Sequence, residues 1–96
     1  MSAANTPHDA LVGWLCVTIA RACRVEPSRV TATSPLLELG LDSLTLVSVL
    51  TQVETAHAIE LAPDETLALL EAADVGSLAA RLTAIVDARR LEDASG

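Results

Sequence analysis

The sequence contains no lysine, no phenylalanine and no tyrosine, and Trp14 is its single aromatic residue among 96. A core without aromatic side chains has to be built from leucine, valine, isoleucine and alanine, and hydrophobic residues make up 51% of the chain. Because sheet strands favour aromatic and β-branched residues, this composition favours packed helices. The length allows one domain with one modest core.

Positive charge is scarce and unevenly placed. The formal net charge is -7 at pH 7. No arginine lies between Val30 and Ala80, whereas acidic residues occur throughout that stretch. Nucleic-acid binding needs clustered cations, so we expect no nucleic-acid partner. The surface of any protein partner should instead be basic.

The sequence also lacks features of export and of membranes. No basic segment precedes an apolar stretch near the start, and no apolar run approaches the roughly 20 residues that span a bilayer. We therefore expect a cytoplasmic protein with no membrane partner. Cys16 and Cys23 are about 10.5 Å apart if they share a helix with a 1.5 Å rise per residue. A disulfide needs Cα atoms within roughly 7 Å, so both are expected to be free, small apolar residues.

Apolar residues at helical spacing predict a first helix over residues 7–24, opened by Thr6 and Pro7. Its buried stripe should comprise Leu11 or Val12, Leu15, Ile19 and Cys23. A long connection over residues 25–41 follows, and loops of that length are usually functional. We expect its apolar members to anchor it across the bundle: Val30, Leu36, Leu37 and Leu39.

Three further helices are predicted after this loop. The second should begin at Asp42 or Ser43 and end at Ala56 or His57. Its core face should comprise Leu46, Val49, Leu50, Val53 and His57. A short third helix, capped by Asp64, should reach about Leu70, and a fourth should run from Asp74 to Arg89 or Arg90. Its apolar stripe should comprise Val75, Leu78, Leu82, Ile85 and Val86.

The predicted fold class is therefore all-α. It is a four-helix bundle with three longer helices, one short third helix and a long loop between helices 1 and 2. The domain should occupy residues 7–90, with flexible ends at residues 1–6 and 91–96, and we expect a free-standing monomer.

The most informative stretch is Leu39-Gly40-Leu41-Asp42-Ser43-Leu44, preceded by Ser34-Pro35-Leu36-Leu37-Glu38. It resembles the phosphopantetheine attachment site of acyl carrier proteins, in which Asp-Ser-Leu opens the second helix after a loop glycine. The resemblance covers the chain from about Leu11 to Ile85. An Asp-Ser-Leu tripeptide alone would mean little, but here its position, the loop before it and the predicted helices agree.

The resemblance implies how the protein would act. A phosphopantetheinyl transferase would attach 4′-phosphopantetheine covalently to Ser43, and Asp42 would help position that serine and the transferase's metal ion. The carrier itself would not be an enzyme and would bind no metal. Acyl groups would be held as thioesters and presented to acyltransferase, ketosynthase or ligase-type enzymes. A serine at a helix N-terminus suits this role, because a phosphodiester there lies near the positive end of the helix dipole.

The outer face of helix 2 is the expected partner surface. Leu44 and Val47 are apolar where the core does not need them, and the resemblance assigns them partner contacts, with Glu54 as a charged contact. The face is otherwise poor in acids. This favours polyketide or other specialised biosynthesis over primary fatty acid synthesis. His57, where the family usually has an aromatic residue, is expected to be a hydrogen-bonded structural residue.

Other interpretations remain open at this stage. Asp42 and Ser43 are preferred helix caps, so the chain could be an unmodified helical docking module. A peptidyl or aminoacyl carrier is a second alternative. A catalytic serine is disfavoured, since the stretch is not a Gly-x-Ser-x-Gly elbow. His57 also lies roughly 21 Å from Ser43 along the same helix, at 1.5 Å per residue.

Overall fold

A computed structural model describes residues 7–95 of the chain, with side chains described for residues 9–92. Four α-helices occur in this part: α1 (Pro7–Cys23), α2 (Ser43–His57), α3 (Pro63–Leu70) and α4 (Val75–Ser95). A short 3-10 helix, Pro27–Arg29, interrupts the loop after α1. The predicted all-α four-helix bundle is confirmed. The flexible start predicted for residues 1–6 lies outside the described residues, as does Gly96.

The core lies between α1, α2 and α4, with α3 packed against α2 and α4. The apolar stripes supply it as their spacing predicts, and these stripe residues are buried: Leu11, Leu15, Ile19, Leu46, Val49, Leu50, Val53, Val75, Leu78, Leu82 and Val86. Three residues predicted for the stripes, Cys23, His57 and Ile85, are only half-buried. None of the helices in residues 7–95 is both long and apolar enough to cross a membrane.

The ends of the helices follow local backbone chemistry. α1 ends one residue before its predicted limit, because Arg24 adopts a left-handed conformation with φ of 60°. α3 does not use Asp64 as its cap, and this prediction is wrong. Its cap is Ala62, whose N–H donates a 2.9 Å hydrogen bond to the Glu65 carboxylate, while Pro63 occupies the first helical position.

The last helix is longer than its sequence signals predict. The expected end at Arg89 or Arg90 is wrong, because α4 continues to Ser95. The stretch predicted as a flexible tail, residues 91–96, is thus helical as far as Ser95. Basic residues commonly mark the final turn of a helix, but they do not stop it. Leu91 and Glu92 favour helix, and no glycine or proline follows Arg90 before Gly96.

The long loop is anchored by Val30, Leu36 and Leu41, which are buried. Leu39 is half-buried. The prediction that Leu37 is an anchor is wrong, since 88% of this residue is exposed. Residues 36–40 form tight turns, and the Leu41 N–H donates to the Leu36 carbonyl oxygen at 3.2 Å. Such a turn directs neighbouring side chains to different sides, so burial of Leu36 leaves Leu37 in solvent.

Backbone hydrogen bonds tie this loop to the start of α4. The Leu36 N–H donates to the Ala73 carbonyl oxygen at 3.0 Å. In the opposite direction, the Val75 N–H donates to the Ser34 carbonyl oxygen at 3.2 Å. The loop therefore satisfies donors that the first turn of α4 would otherwise leave unpaired. It also fixes the chain just before α2.

Candidate functional site

Ser43 is the first residue of α2, and it is exposed. Gly40 precedes it with φ of 81°, a left-handed conformation that a glycine adopts readily. The buried side chain of Leu41 then holds the chain against the core. No hydrogen bond to the Ser43 hydroxyl occurs among the residues that the structure describes. The hydroxyl is therefore accessible, and the helix start and buried Leu41 fix the backbone position of the residue that carries it.

Asp42 is the N-cap of α2, which settles which of the two candidate residues caps the helix. Its Oδ1 accepts a 2.8 Å hydrogen bond from the Thr45 N–H. That backbone hydrogen bond is the main reason why the pKa of Asp42 lies below its usual value. Because Asp42 supplies the cap, the Ser43 side chain is not needed for it.

The first turn of α2 offers further hydrogen-bond donors. The backbone N–H groups of Ser43 and Leu44 have no partner within the described residues. Unpaired donors at a helix N-terminus, together with the helix dipole, favour an anion. A phosphate ester at Ser43 would lie close to both.

A cleft of about 540 Å³ opens beside Ser43. One wall comes from the loop and includes Leu36 and Leu37, and the other comes from the segment between α3 and α4 and includes Leu70 and Ala73. The cleft is mainly apolar because most of the residues that line it are leucine or alanine. A backbone hydrogen bond from Leu36 to Ala73 joins its two walls. The sequence connects the loop wall with the site, since residues 34–38 directly precede the motif, but it does not predict the wall around Leu70 and Ala73, because no local signal links that segment to Ser43.

The predicted partner-contact residues lie at different distances from Ser43 along α2. Leu44 follows Ser43 directly, and 83% of it is exposed. Val47 is also exposed, one turn further on. Glu54 lies near the other end of α2, where its carboxylate accepts a 2.8 Å hydrogen bond from the Leu61 N–H. Glu54 thus stabilises the connection between α2 and α3.

The remaining candidate side chains do not join the site. His57 is the last residue of α2, at the opposite end from Ser43. Cys16 and Cys23 are free, and burial raises the pKa of both thiols. The negative charge of Asp42 raises the pKa of Cys23 further. Within the described residues no group of three or more His, Cys, Asp or Glu side chains could hold a metal ion.

An exposed serine at the start of a helix, beside an apolar cleft, can accept a covalently attached group. The family model for the phosphopantetheine attachment site matches residues 13–82. This match covers most of the chain, which therefore belongs to the family of phosphopantetheine-binding carrier proteins. Carrier domains of this family are not enzymes. No curated protein and no solved structure matched the chain in the corresponding searches.

Members of this family carry 4′-phosphopantetheine on a serine. The start of α2 fits such a group. It provides an exposed hydroxyl, two N–H groups that no other described residue binds, and an apolar cleft into which the first atoms of a flexible chain can extend. The Asp42 carboxylate accepts a hydrogen bond from the Thr45 N–H, and this bond holds the negative charge of Asp42 at the edge of the site.

Proposed function

We propose that Ser43 is the attachment residue and that the protein is an acyl carrier of polyketide or other specialised biosynthesis. The observation that carries this proposal is the exposed Ser43 hydroxyl at the first position of α2, inside the span matched by the family model. We also propose that the carrier domain occupies residues 7–90, the bounds predicted from the sequence, with the last turn of α4 extending beyond them. A cytoplasmic location stays a prediction of the sequence.

For attachment of phosphopantetheine, the carrier mainly has to hold the Ser43 hydroxyl where the transferase can reach it. A transferase would form a bond between Ser43 Oγ and the β-phosphorus of coenzyme A while the diphosphate bond breaks. Adenosine 3′,5′-bisphosphate leaves, and the hydroxyl proton passes to a base on the transferase. The N–H groups of Ser43 and Leu44 can donate to the phosphate oxygens of the product. Asp42 holds the backbone of that turn through Thr45 and places a carboxylate next to the reacting hydroxyl, where the transferase's metal ion is expected.

When bound, the phosphopantetheine supplies a terminal thiol that holds acyl groups as thioesters. The residues of the chain then serve as an anchor and as a docking surface. Ser43 sets the point from which the arm extends, and Leu44 and Val47 offer apolar contacts to acyltransferase, ketosynthase or ligase-type enzymes. Glu54 is a charged contact in this proposal.

The outer face of α2 supports a specialised pathway. Its exposed positions beyond Val47 include Ser48, Thr51, Gln52 and Thr55, all uncharged. The one acidic residue of α2, Glu54, is half-buried and engaged with Leu61. Recognition of this face should therefore depend more on apolar contact than on charge pairs, unlike the strongly acidic second helix of primary fatty acid carriers.

The test is an intact-mass measurement after incubation with coenzyme A and a broad-specificity phosphopantetheinyl transferase. The parent should gain one phosphopantetheine, Ser43→Ala should gain none, and Ser48→Ala, an exposed serine later on α2, should behave as the parent does. A folded parent that gains no mass would instead support an unmodified docking module. Loading of the modified protein with acyl or aminoacyl groups then separates an acyl from a peptidyl carrier.

A further inference from the structure

Leu37 and Leu44 are the two most exposed large apolar residues for which the structure gives an exposed fraction, at 88% and 83%. Both lie beside Ser43. Leu37 and Ser43 line the same cleft, and Leu44 is the next residue of α2. A single exposed leucine is ordinary, but two leucines on different segments beside one hydroxyl form a shared apolar surface.

The backbone holds Leu37 in place although its side chain contacts little. The Gly40 N–H donates to the Leu37 carbonyl oxygen at 3.1 Å. On the amino-terminal side, buried Leu36 is hydrogen-bonded to Ala73. The turn is thus fixed before any partner binds, which lowers the entropy cost of using Leu37 as a contact.

We propose that Leu37 is a docking residue for the enzyme that modifies Ser43, and that it acts together with Leu44. This inference rests on the proposed function of Ser43. An enzyme that makes a bond to Ser43 Oγ has to bring its own reacting atoms within bonding distance of that oxygen. Its surface must then cover the immediate surroundings of Ser43, where Leu37 and Leu44 are the prominent side chains.

The charges around these leucines define the chemistry of the partner. Glu38 adjoins Leu37, Asp42 adjoins Ser43, and Glu71 lines the cleft, and all three residues are exposed. No arginine or lysine occurs between Val30 and Ala80. The complementary surface of the transferase therefore has apolar pockets for the two leucines. Arginine or lysine side chains border these pockets and face the three acidic residues.

The test compares kcat/KM for phosphopantetheine transfer from coenzyme A to the parent, Leu37→Ser, Leu44→Ser and Leu91→Ser. Leu91 is a matched control because it is 69% exposed and lies near the far end of the bundle. Arg89, two residues before Leu91, borders a pocket with Ala58, the residue that follows α2. Circular dichroism melting curves check that each variant is folded.

We expect Leu37→Ser and Leu44→Ser each to lower kcat/KM by about tenfold, the effect of losing much of one buried leucine contact. The Leu91→Ser protein should stay within about twofold of the parent, as an exposed residue outside an interface does. Equal rates for Leu37→Ser and the parent would overturn the inference while leaving Ser43 as the attachment residue. No transfer to the parent at all would instead overturn the proposed function.

Discussion

Gly76 donates its backbone N–H to the carbonyl oxygen of Ala32 at 2.7 Å, and this contact joins the first turn of α4 to the long loop. The two backbones approach so closely that a Cβ atom on residue 76 would lie 3.0 Å from the same oxygen. Together with the hydrogen bond from Val75 to Ser34, this contact holds the loop that leads to Ser43.

Gly76→Ala should therefore destabilise the protein. The neighbouring atom is backbone, which cannot rotate away, so relief of the overlap requires the loop to shift. We expect a loss of about 1–3 kcal/mol in the free energy of unfolding, the usual range for overpacking. Urea denaturation measured by circular dichroism checks this. Because the loop leads to the site, transfer of phosphopantetheine should also slow.

Gly13→Ala is the matched control for this substitution. Gly13 is exposed in the interior of α1, and nothing lies within 4 Å of the position its Cβ would take. Alanine there should stabilise the protein by about 0.5–1 kcal/mol, because glycine is the poorer helix former. Destabilisation of both variants by similar amounts would mean that contact with Ala32 is not the cause.

The serine and the cap have separable effects on stability. Since Asp42 caps α2, we expect Ser43→Ala to change the free energy of unfolding by less than about 0.5 kcal/mol. Chemical denaturation of the unmodified proteins measures this difference. A loss of about 1 kcal/mol, which is typical of a removed N-cap, would show that Ser43 contributes to the cap.

Two substitutions of Asp42 separate its role as the N-cap of α2 from the role of its negative charge. Asp42→Ala removes the acceptor for the Thr45 N–H, so amide hydrogen exchange in the first turn of α2 should become faster. Asn is as good an N-cap as Asp, so Asp42→Asn should keep slow exchange. If the carboxylate serves the transferase's metal ion, Asp42→Asn should nevertheless lower the transfer rate by about tenfold or more. Normal transfer to Asp42→Asn would exclude that role.

Acid should destabilise the helix starts. Hydrogen bonds from backbone N–H groups lower the pKa of Asp42, Glu65 and Asp74 in the folded protein. Unfolded Asp and Glu have pKa values of about 3.9 and 4.3, so the stabilisation is present above these values. It is lost as the pH falls through the lower pKa values of the folded state. Melting temperatures measured between pH 5 and 2.5 should therefore drop most steeply below about pH 4.

Asp74→Asn isolates one contribution to that drop. The Asp74 carboxylate accepts a 2.7 Å hydrogen bond from the Ser77 N–H, and an amide oxygen can accept the same bond without titrating. The variant should lose less of its melting temperature than the parent between pH 5 and 2.5. An equal loss in both proteins would argue against linkage between Asp74 and stability.

The sequence predicts well those features of the fold that depend on residues close together in one helix. The spacing of Leu46, Val49, Leu50 and Val53 identifies the buried face of α2, because a helical period leaves only one continuous apolar stripe. The first turn of α2, with Asp42 before Ser43, follows from local capping chemistry. These two features place Ser43 at the start of a helix, and the resemblance of the stretch around it to a phosphopantetheine attachment site identifies it as the candidate residue.

What the sequence does not predict depends on contacts between distant segments. Leu36 and Leu37 are identical side chains in a loop, and which of them faces the core depends on the turn they form and on the contact of Leu36 with the distant residue Ala73. The cleft beside Ser43 has the same origin, since its second wall comes from the segment around Leu70. The predicted end of α4 was wrong for another reason. Basic residues such as Arg89 and Arg90 are common in the last turn of a helix, but they do not end it.

Attachment of phosphopantetheine to Ser43 can be established by locating the added group in the chain. After reaction with coenzyme A and the transferase, cleavage on the carboxyl side of glutamate should release residues 39–54, because Glu38 and Glu54 bound that stretch. This peptide contains two serines, Ser43 and Ser48, and tandem mass spectrometry can distinguish them. We predict fragment ions that place the added mass on Ser43. Added mass on Ser48, or on another peptide, would mean that Ser43 is not the attachment residue.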